Sequence, residues 1–229
     1  MQSGVSIVMD TSHSPLLLAV EKDGKLFTAR RSGIKQEKLL FPVLNGLLAK
    51  ANANLQDVSR VFIIRGPGRF TGIRIALTFA SMLQMLGDCE VKGATLFEVI
   101  YRQVQACRAY ASWQQNHPSG VAAVVLHAFR EEYFLQIFDE KKSAPAWLSR
   151  EELLRTLAAY PYPLFVAGTD KEFAPLTHLL DGKYTLAPYD VCRVQAKTLA
   201  RLAQEKKWTK SALEPLYLKP ARFELEGVK

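Results

Sequence analysis

Two short stretches carry the residue types that could do chemistry. The first is Gly66-Pro67-Gly68-Arg69-Phe70-Thr71-Gly72, which follows an apolar run and opens a helical one. Glycines there allow backbone conformations closed to other residues. N–H groups at a helix start favour an anion, so Gly66, Pro67, Gly68, Phe70, Thr71, Gly72 and Arg74 form a candidate phosphate loop. The run lacks the Gly-Lys-Ser/Thr ending of a triphosphate loop and the Gly-x-Gly-x-x-Gly spacing. A tight strand-to-helix turn that packs Phe70 is the stronger reading. The second stretch is Asp10-Thr11 at the end of the first strand, where phosphate-binding duplicated folds hold a metal-bound nucleotide. A kinase-like chain would need a glycine-rich hairpin after that aspartate and a second carboxylate at the matching strand end. Here Asp10-Thr11-Ser12-His13-Ser14 has no glycine, and Leu126-His127-Ala128-Phe129 has no carboxylate.

The remaining inventory is sparse. No two of His13, His117, His127 and His178 lie at i, i+4, so no helical metal pair exists. No Gly-x-Ser-x-Gly elbow occurs. Cys89, Cys107 and Cys192 are odd in number, far apart and without a CxxC, which argues against a disulfide frame or a cysteine-rich zinc site and for a reducing cytoplasm. No catalytic residue, metal or cofactor is assigned. The chain reads as a binding protein in an enzyme-like fold.

These residues are positioned by a regular pattern of elements. The 229 residues, 48% hydrophobic and 23% charged, suffice for a real core in one large domain or two lobes. No run is long and apolar enough to span a bilayer, and residues 1–10 lack a signal-peptide pattern. Strands are predicted at Val5–Met9, Leu16–Val20 and Leu26–Arg30, with an Asp23-Gly24 hairpin turn. A helix follows over Gln36–Ala51, kinked at Pro42 or starting later than Gln36. Then come a strand at Val58–Ile64, a helix at Thr71–Leu86, a strand at Glu90–Ala94 and a helix from Leu96 to Trp113. After a polar boundary at 114–120 the order repeats. Strands lie at Val121–Leu126, Tyr133–Phe138 and Trp147-Leu148, then a helix Arg150–Tyr160 with Ser149 and Glu152 as a capping box. A strand Leu164–Ala167, helices Phe173–Leu180 and Val194–Trp208, and an extended Leu216–Pro220 complete it. Two β-β-β-α-β-α units, 1–113 and 120–229, imply a duplicated α/β fold.

The helix over Thr71–Leu86 is apolar nearly all round, broken only by Arg74, Thr78, Ser81 and Gln84. Such a helix must be covered on every side. A helix of the same chain or a partner protein must complete what one sheet covers, and Met82 and Met85 are adaptable contact residues.

Asp10-Thr11-Ser12, the Gln36-Glu37-Lys38-Leu39-Leu40-x-Pro42 start of the first helix, the run Gly66 to Gly72 continued by Ile73-Arg74-x-Ala76-Leu77, and Pro215-Leu216-Tyr217-Leu218 resemble the TsaB (YeaZ) family. The resemblance implies an ASKHA (actin-like, RNase H-like) duplicated fold. It implies a cytoplasmic, non-catalytic partner of the enzyme TsaD, which with TsaE transfers threonylcarbamoyl to the tRNA adenosine beside the anticodon. It places the TsaD heterodimer surface, or a homodimer surface when the chain is alone, on the first two helices. The candidates there are Leu40, Val43, Leu44, Leu47, Ile75, Phe79, Met82, Leu83 and Leu86. tRNA is reached indirectly through the complex, with no membrane and no cofactor; a nucleotide at the partner interface stays an open alternative. The chain departs from the family pattern at Lys35-Gln36-Glu37, at Arg69 and at His127-Ala128-Phe129-Arg130.

Two other classes compete. One is an actin-like ATPase or metalloprotease with its own activity, which needs a metal site that the inventory does not supply. The other is a free-standing RNA-binding protein using the net charge of +8, whose binding would fall steeply with salt. The basic residues come in small groups, with no arginine-rich tract interleaved with aromatics.

Overall fold

A computed structural model describes residues 4–33, 35–139, 143–171, 174–180, 182–205 and 213–219. It contains two mixed sheets of five strands each. The first is built from β1 (Val5–Asp10), β2 (Leu16–Lys22), β3 (Lys25–Arg31), β4 (Val58–Ile64) and β5 (Glu90–Ala94), in the order β3-β2-β1-β4-β5. The second uses β6 (Val121–Phe129), β7 (Glu132–Phe138), β8 (Ala146–Ser149), β9 (Leu164–Thr169) and β10 (Thr185–Leu186), in the order β10-β9-β6-β7-β8. Read from the other edge, the second order repeats the first strand for strand. In both, the first strand pairs antiparallel with the second and parallel with the fourth. The expected α/β duplication is therefore present in topology.

Local chemistry explains the elements. Asp23 and Gly24 both take positive φ, 52° and 73°, the geometry of a two-residue hairpin turn whose twist matches its strands. The helix α1 (Gln36–Lys50) keeps Pro42 inside it and begins at Gln36. Proline removes one bond, the one to the Lys38 carbonyl; both residues face outward, where water can donate to that carbonyl instead. The helix α2 (Phe70–Leu86) follows β4 through the glycine run.

Compact packing divides the chain into residues 1–96 with 194–216, and 97–193 with 217–229. This differs from the linear division at 114–119. In the first unit, one face of the sheet packs α1 and α2 through Ile7, Met9, Leu18, Leu44, Ile63, Ala76 and Phe79. The last helix among the described residues, α7 (Ala196–Gln204), packs on β1, β2 and β4, which places it in the first unit.

In the second unit, the predicted helix Leu96–Trp113 is two helices, α3 (Leu96–Gln105) and α4 (Arg108–Asn116), parted at Ala106-Cys107. The break re-aims α4, so that Tyr110 and Trp113 both meet Phe165, with ring centroids 5.1 and 5.4 Å apart. A Cβ on Gly120 would lie 2.4 Å from the Trp113 ring, which explains the glycine in the turn after α4. The helix α5 (Arg150–Ala158) carries the predicted capping box: Glu152 N donates to Ser149 Oγ, and Ser149 N donates to Glu152 Oε2. It packs Leu153 and Leu157 on the sheet. A short α6 (Thr177–Leu180) stands where a longer helix was expected; Phe173 lies outside the described residues. Residues 206–208 and Pro220 also lie outside them.

Candidate functional site

The glycine run is shaped by the chain's own backbone. Gly66 has φ +119°, and a Cβ there would lie 2.5 Å from the Leu216 carbonyl oxygen. A Cβ on Gly72 would lie 1.9 Å from the Thr11 carbonyl oxygen, and one on Gly68 would lie 2.5 Å from that of Ser12. Three carbonyl oxygens thus occupy the space that glycines leave, where an anion cradle would need N–H groups facing open space. Arg69 N already donates to Ser12 O at 2.7 Å. Asp10, on the end of β1, is buried, and its Oδ1 accepts from Ser12 N at 2.9 Å and Ser12 Oγ at 2.6 Å. This corrects one expectation: Phe70 is not packed into the turn but is 46% exposed, with the Arg74 guanidinium 4.0 Å from its ring centroid.

Beside this loop, α1 and α2 leave a groove of about 440 Å³. Its floor is Leu40, Phe79 and Ile75, and its walls include Phe41, Phe70 and Met82. Phe41 meets Phe79 edge to face at 6.1 Å and is 45% exposed. Glu37 and Arg74 put one charge of each sign on the lining. The groove can therefore take an apolar segment that carries a few polar groups; among its lining residues, no arrangement of nucleophile and base occurs.

The expected partner surface is only partly exposed. Leu40, Leu44, Leu47, Phe79 and Leu83 belong to the chain's own core, because they lie on the helix faces turned to the sheet. Val43, Ile75 and Met82 are half-buried, and Leu86 is exposed. Phe41 and Glu37 were missed. The available signal was a large aromatic standing off the stripe of Leu40, Leu44, Leu47 and Leu48.

Elsewhere, no group of three or more His, Cys, Asp or Glu placed to hold a metal occurs among the described residues. In the second unit His127 Nε2 lies 2.9 Å from Arg130 O; burial first, and then the bond that Tyr133 Oη donates to Asp170 Oδ1 at 2.7 Å, hold the Tyr133 phenol well above its ordinary pKa. No helix among the described residues is long and apolar enough to cross a membrane.

A family model described as "TsaD: tRNA N6-adenosine threonylcarbamoyltransferase" matches residues 33–107, a stretch that includes α1, the glycine run and α2. Among curated proteins, the chain is similar to "tRNA threonylcarbamoyladenosine biosynthesis protein TsaB" of Haemophilus influenzae, 28% identical over 62% of this chain and 57% of that protein. It is also similar to the proteins of the same name from Buchnera aphidicola (26%, 49% of this chain and 53% of that one) and Bacillus subtilis (25%, 41% and 42%). The chain is thus similar to proteins of the TsaB (YeaZ) family. The matches span about half the length of these TsaB proteins. The fold agrees with YeaZ from Pseudomonas aeruginosa, at a TM-score of 0.65 and 21% identity over 94% of this chain and all of that one. Both groove helices, α1 and α2, lie inside the stretch that the family model matches.

Proposed function

We propose that this TsaB-family chain is a non-catalytic, cytoplasmic subunit required for threonylcarbamoyl transfer to the tRNA adenosine next to the anticodon. It acts by dimerising with TsaD, works with TsaE, and meets tRNA through the assembly. When alone it pairs with a second copy through the same face. The chain's relatives carry the name of that biosynthetic route. The observation that carries the docking mode is the apolar groove between α1 and α2, continued by Met85 (86% exposed) and Leu86 (75%) at the end of α2. Exposed apolar residues grouped in this way mark an interface. No metal, cofactor or catalytic group is assigned to the chain itself.

Co-purification with TsaD of the same organism tests this. Phe41→Asp is the informative variant, because Phe41 is half-exposed, whereas Phe79→Asp would put a charge into the core. Wild type is expected to retain TsaD, and Phe41→Asp to lose it with its melting temperature little changed. Failure of wild type to bind, or an unaltered complex with Phe41→Asp, overturns the proposal. Metal-dependent ATP turnover by the isolated chain, abolished by Asp10→Ala, would favour the enzyme alternative instead.

A further inference from the structure

The loop after β1 grips the starts of both groove helices. Thr11 Oγ1 donates to the Gly72 carbonyl at 2.7 Å, in the first turn of α2. Ser12 O accepts from Arg69 N, the residue capping that helix. His13 O accepts from Gln36 Nε2 at 2.6 Å, and Gln36 is the first residue of α1. Asp10 fixes the loop from within through its two bonds from Ser12. The three segments converge closely: a Cβ on Gly72 would lie 1.9 Å from Thr11 O and 3.6 Å from Gln36 Oε1. Thr11 and Ser12 have no exposed surface, and Gln36 is almost as buried.

The gripped residues stand next to the groove. Gln36 precedes Glu37, and Arg69 and Gly72 flank Phe70 and Thr71; all three neighbours line it. Buried polar groups that lose a partner leave the other group unsatisfied, so each of these bonds holds its helix start firmly. We propose that residues 10–13 act as a brace that couples the first turns of α1 and α2 and so sets the width of the groove. Thr11 and Gln36 are then positioning residues for partner binding. They touch the helices, not the partner. This rests on the reading of the groove as the TsaD docking surface. The brace also accounts for the filled glycine run: a loop where an anion could have bound is used as an internal joint.

A coupling between two helix starts is reciprocal. The test uses the full chain with Thr11→Val, Thr11→Ser and Gln36→Ala, read by amide hydrogen exchange and by affinity for TsaD. Thr11→Val touches α2 directly, yet it is expected to speed exchange in the first two turns of α1 as well. Gln36→Ala is expected to do the same to α2. Each weakens TsaD binding about tenfold, the size of one lost buried hydrogen bond. Thr11→Ser keeps the hydroxyl and restores both readings. Acceleration confined to the helix each variant touches overturns the brace, as does undiminished binding in variants whose helix starts have loosened. Should Thr11→Val fail to fold, Gln36→Ala alone decides, since its bond lies at a helix end. Coupled exchange in a chain whose wild type does not bind TsaD would uphold the brace and defeat the docking reading.

Discussion

The ammonium of Lys92, 3% exposed, donates to the carbonyl oxygen of Ala203 at 2.9 Å. Ala203 lies in the last turn of α7, where carbonyls have no helical partner and the helix end carries partial negative charge. A cation from β5 therefore closes the end of a helix more than a hundred residues away in sequence. Lys92→Met keeps the buried stem and removes the charge and its bond. It is expected to cost about 2 kcal/mol, as for a hydrogen bond to a charged group. Urea unfolding measures the loss, and amide exchange should show α7 opening first. Unchanged protection of α7 would refute its anchoring by Lys92.

Glu90 links this lysine to Arg60: Oε1 lies 3.2 Å from Lys92 Nζ, and Oε2 accepts from Arg60 Nε at 2.9 Å. The Arg60 bond, the largest effect, outweighs the desolvation that opposes it and, with the smaller Lys92 bond and charge, holds the carboxyl below the ordinary glutamate pKa of 4.5. The stabilisation is present above pH 4.5 and is lost as pH falls through the depressed value. Because Glu90 is 41% exposed, solvent screening keeps the effect below about 1 kcal/mol. Glu90→Gln is expected to lower stability slightly at pH 7 and to show a shallower fall than wild type when the two are titrated into acid. Parallel curves would count against the pair.

Two glycines should respond in opposite ways. Gly72→Ala would drive a Cβ to within 1.9 Å of Thr11 O, a backbone atom that cannot swing aside. A loss of about 3 kcal/mol or more, or no folded protein, is expected. Gly46 lies inside α1 with nothing within 4 Å of its Cβ position. Gly46→Ala is expected to add about 0.5–1 kcal/mol through helix propensity. Thermal melts of the pair read both signs at once.

What the residues revealed in advance follows the physics that acts over short range. The Asp23-Gly24 hairpin and the Ser149/Glu152 cap are decided by a few neighbours, and both stand as read. The duplicated strand order was legible because each lobe repeats its apolar runs. The break at Cys107 was not, since it answers to Phe165, some sixty residues away. The groove was half legible. The apolar stripe of α2 signalled a demand for cover, yet periodicity alone could not tell that the sheet takes Leu83 and Phe79 while Phe41 and Phe70 stay open. The glycine run read as a tight strand-to-helix turn or a phosphate loop, and periodicity could not show the carbonyls of Thr11, Ser12 and Leu216 packed against it.

The cap of α5 offers a test confined to the second unit. Glu152 N loses its acceptor in Ser149→Ala, and the reciprocal bond from Ser149 N to Glu152 loses its geometric support. Such N-cap deletions cost about 1 kcal/mol. The loss should appear in urea unfolding, with faster exchange limited to the first turn of α5, and Ser149→Asp should recover most of it. A full-strength helix start in Ser149→Ala would show that packing of Leu153 and Leu157, rather than the cap, fixes where the helix begins.

The three thiols should react in order of access. Cys89 and Cys192 are buried and Cys107 is partly exposed. Burial first, and then the neighbouring Glu90 charge, push the Cys89 thiol from 9.0 up to about 11; burial raises that of Cys192 as well. The thiolate is the nucleophile, so a disulfide reagent at pH 8 is expected to modify Cys107 first and the other two only when the chain opens. The raised value has a consequence for stability. The folded chain keeps the Cys89 proton that the unfolded chain releases, so this contribution is whole below pH 9 and is lost as pH rises towards 11. Cys89→Ala should therefore lose less stability than wild type between pH 9 and 11. Prompt reaction of Cys89 in the native chain, or identical alkaline curves for the two proteins, would mean that the thiol is not sheltered in the core of the first unit.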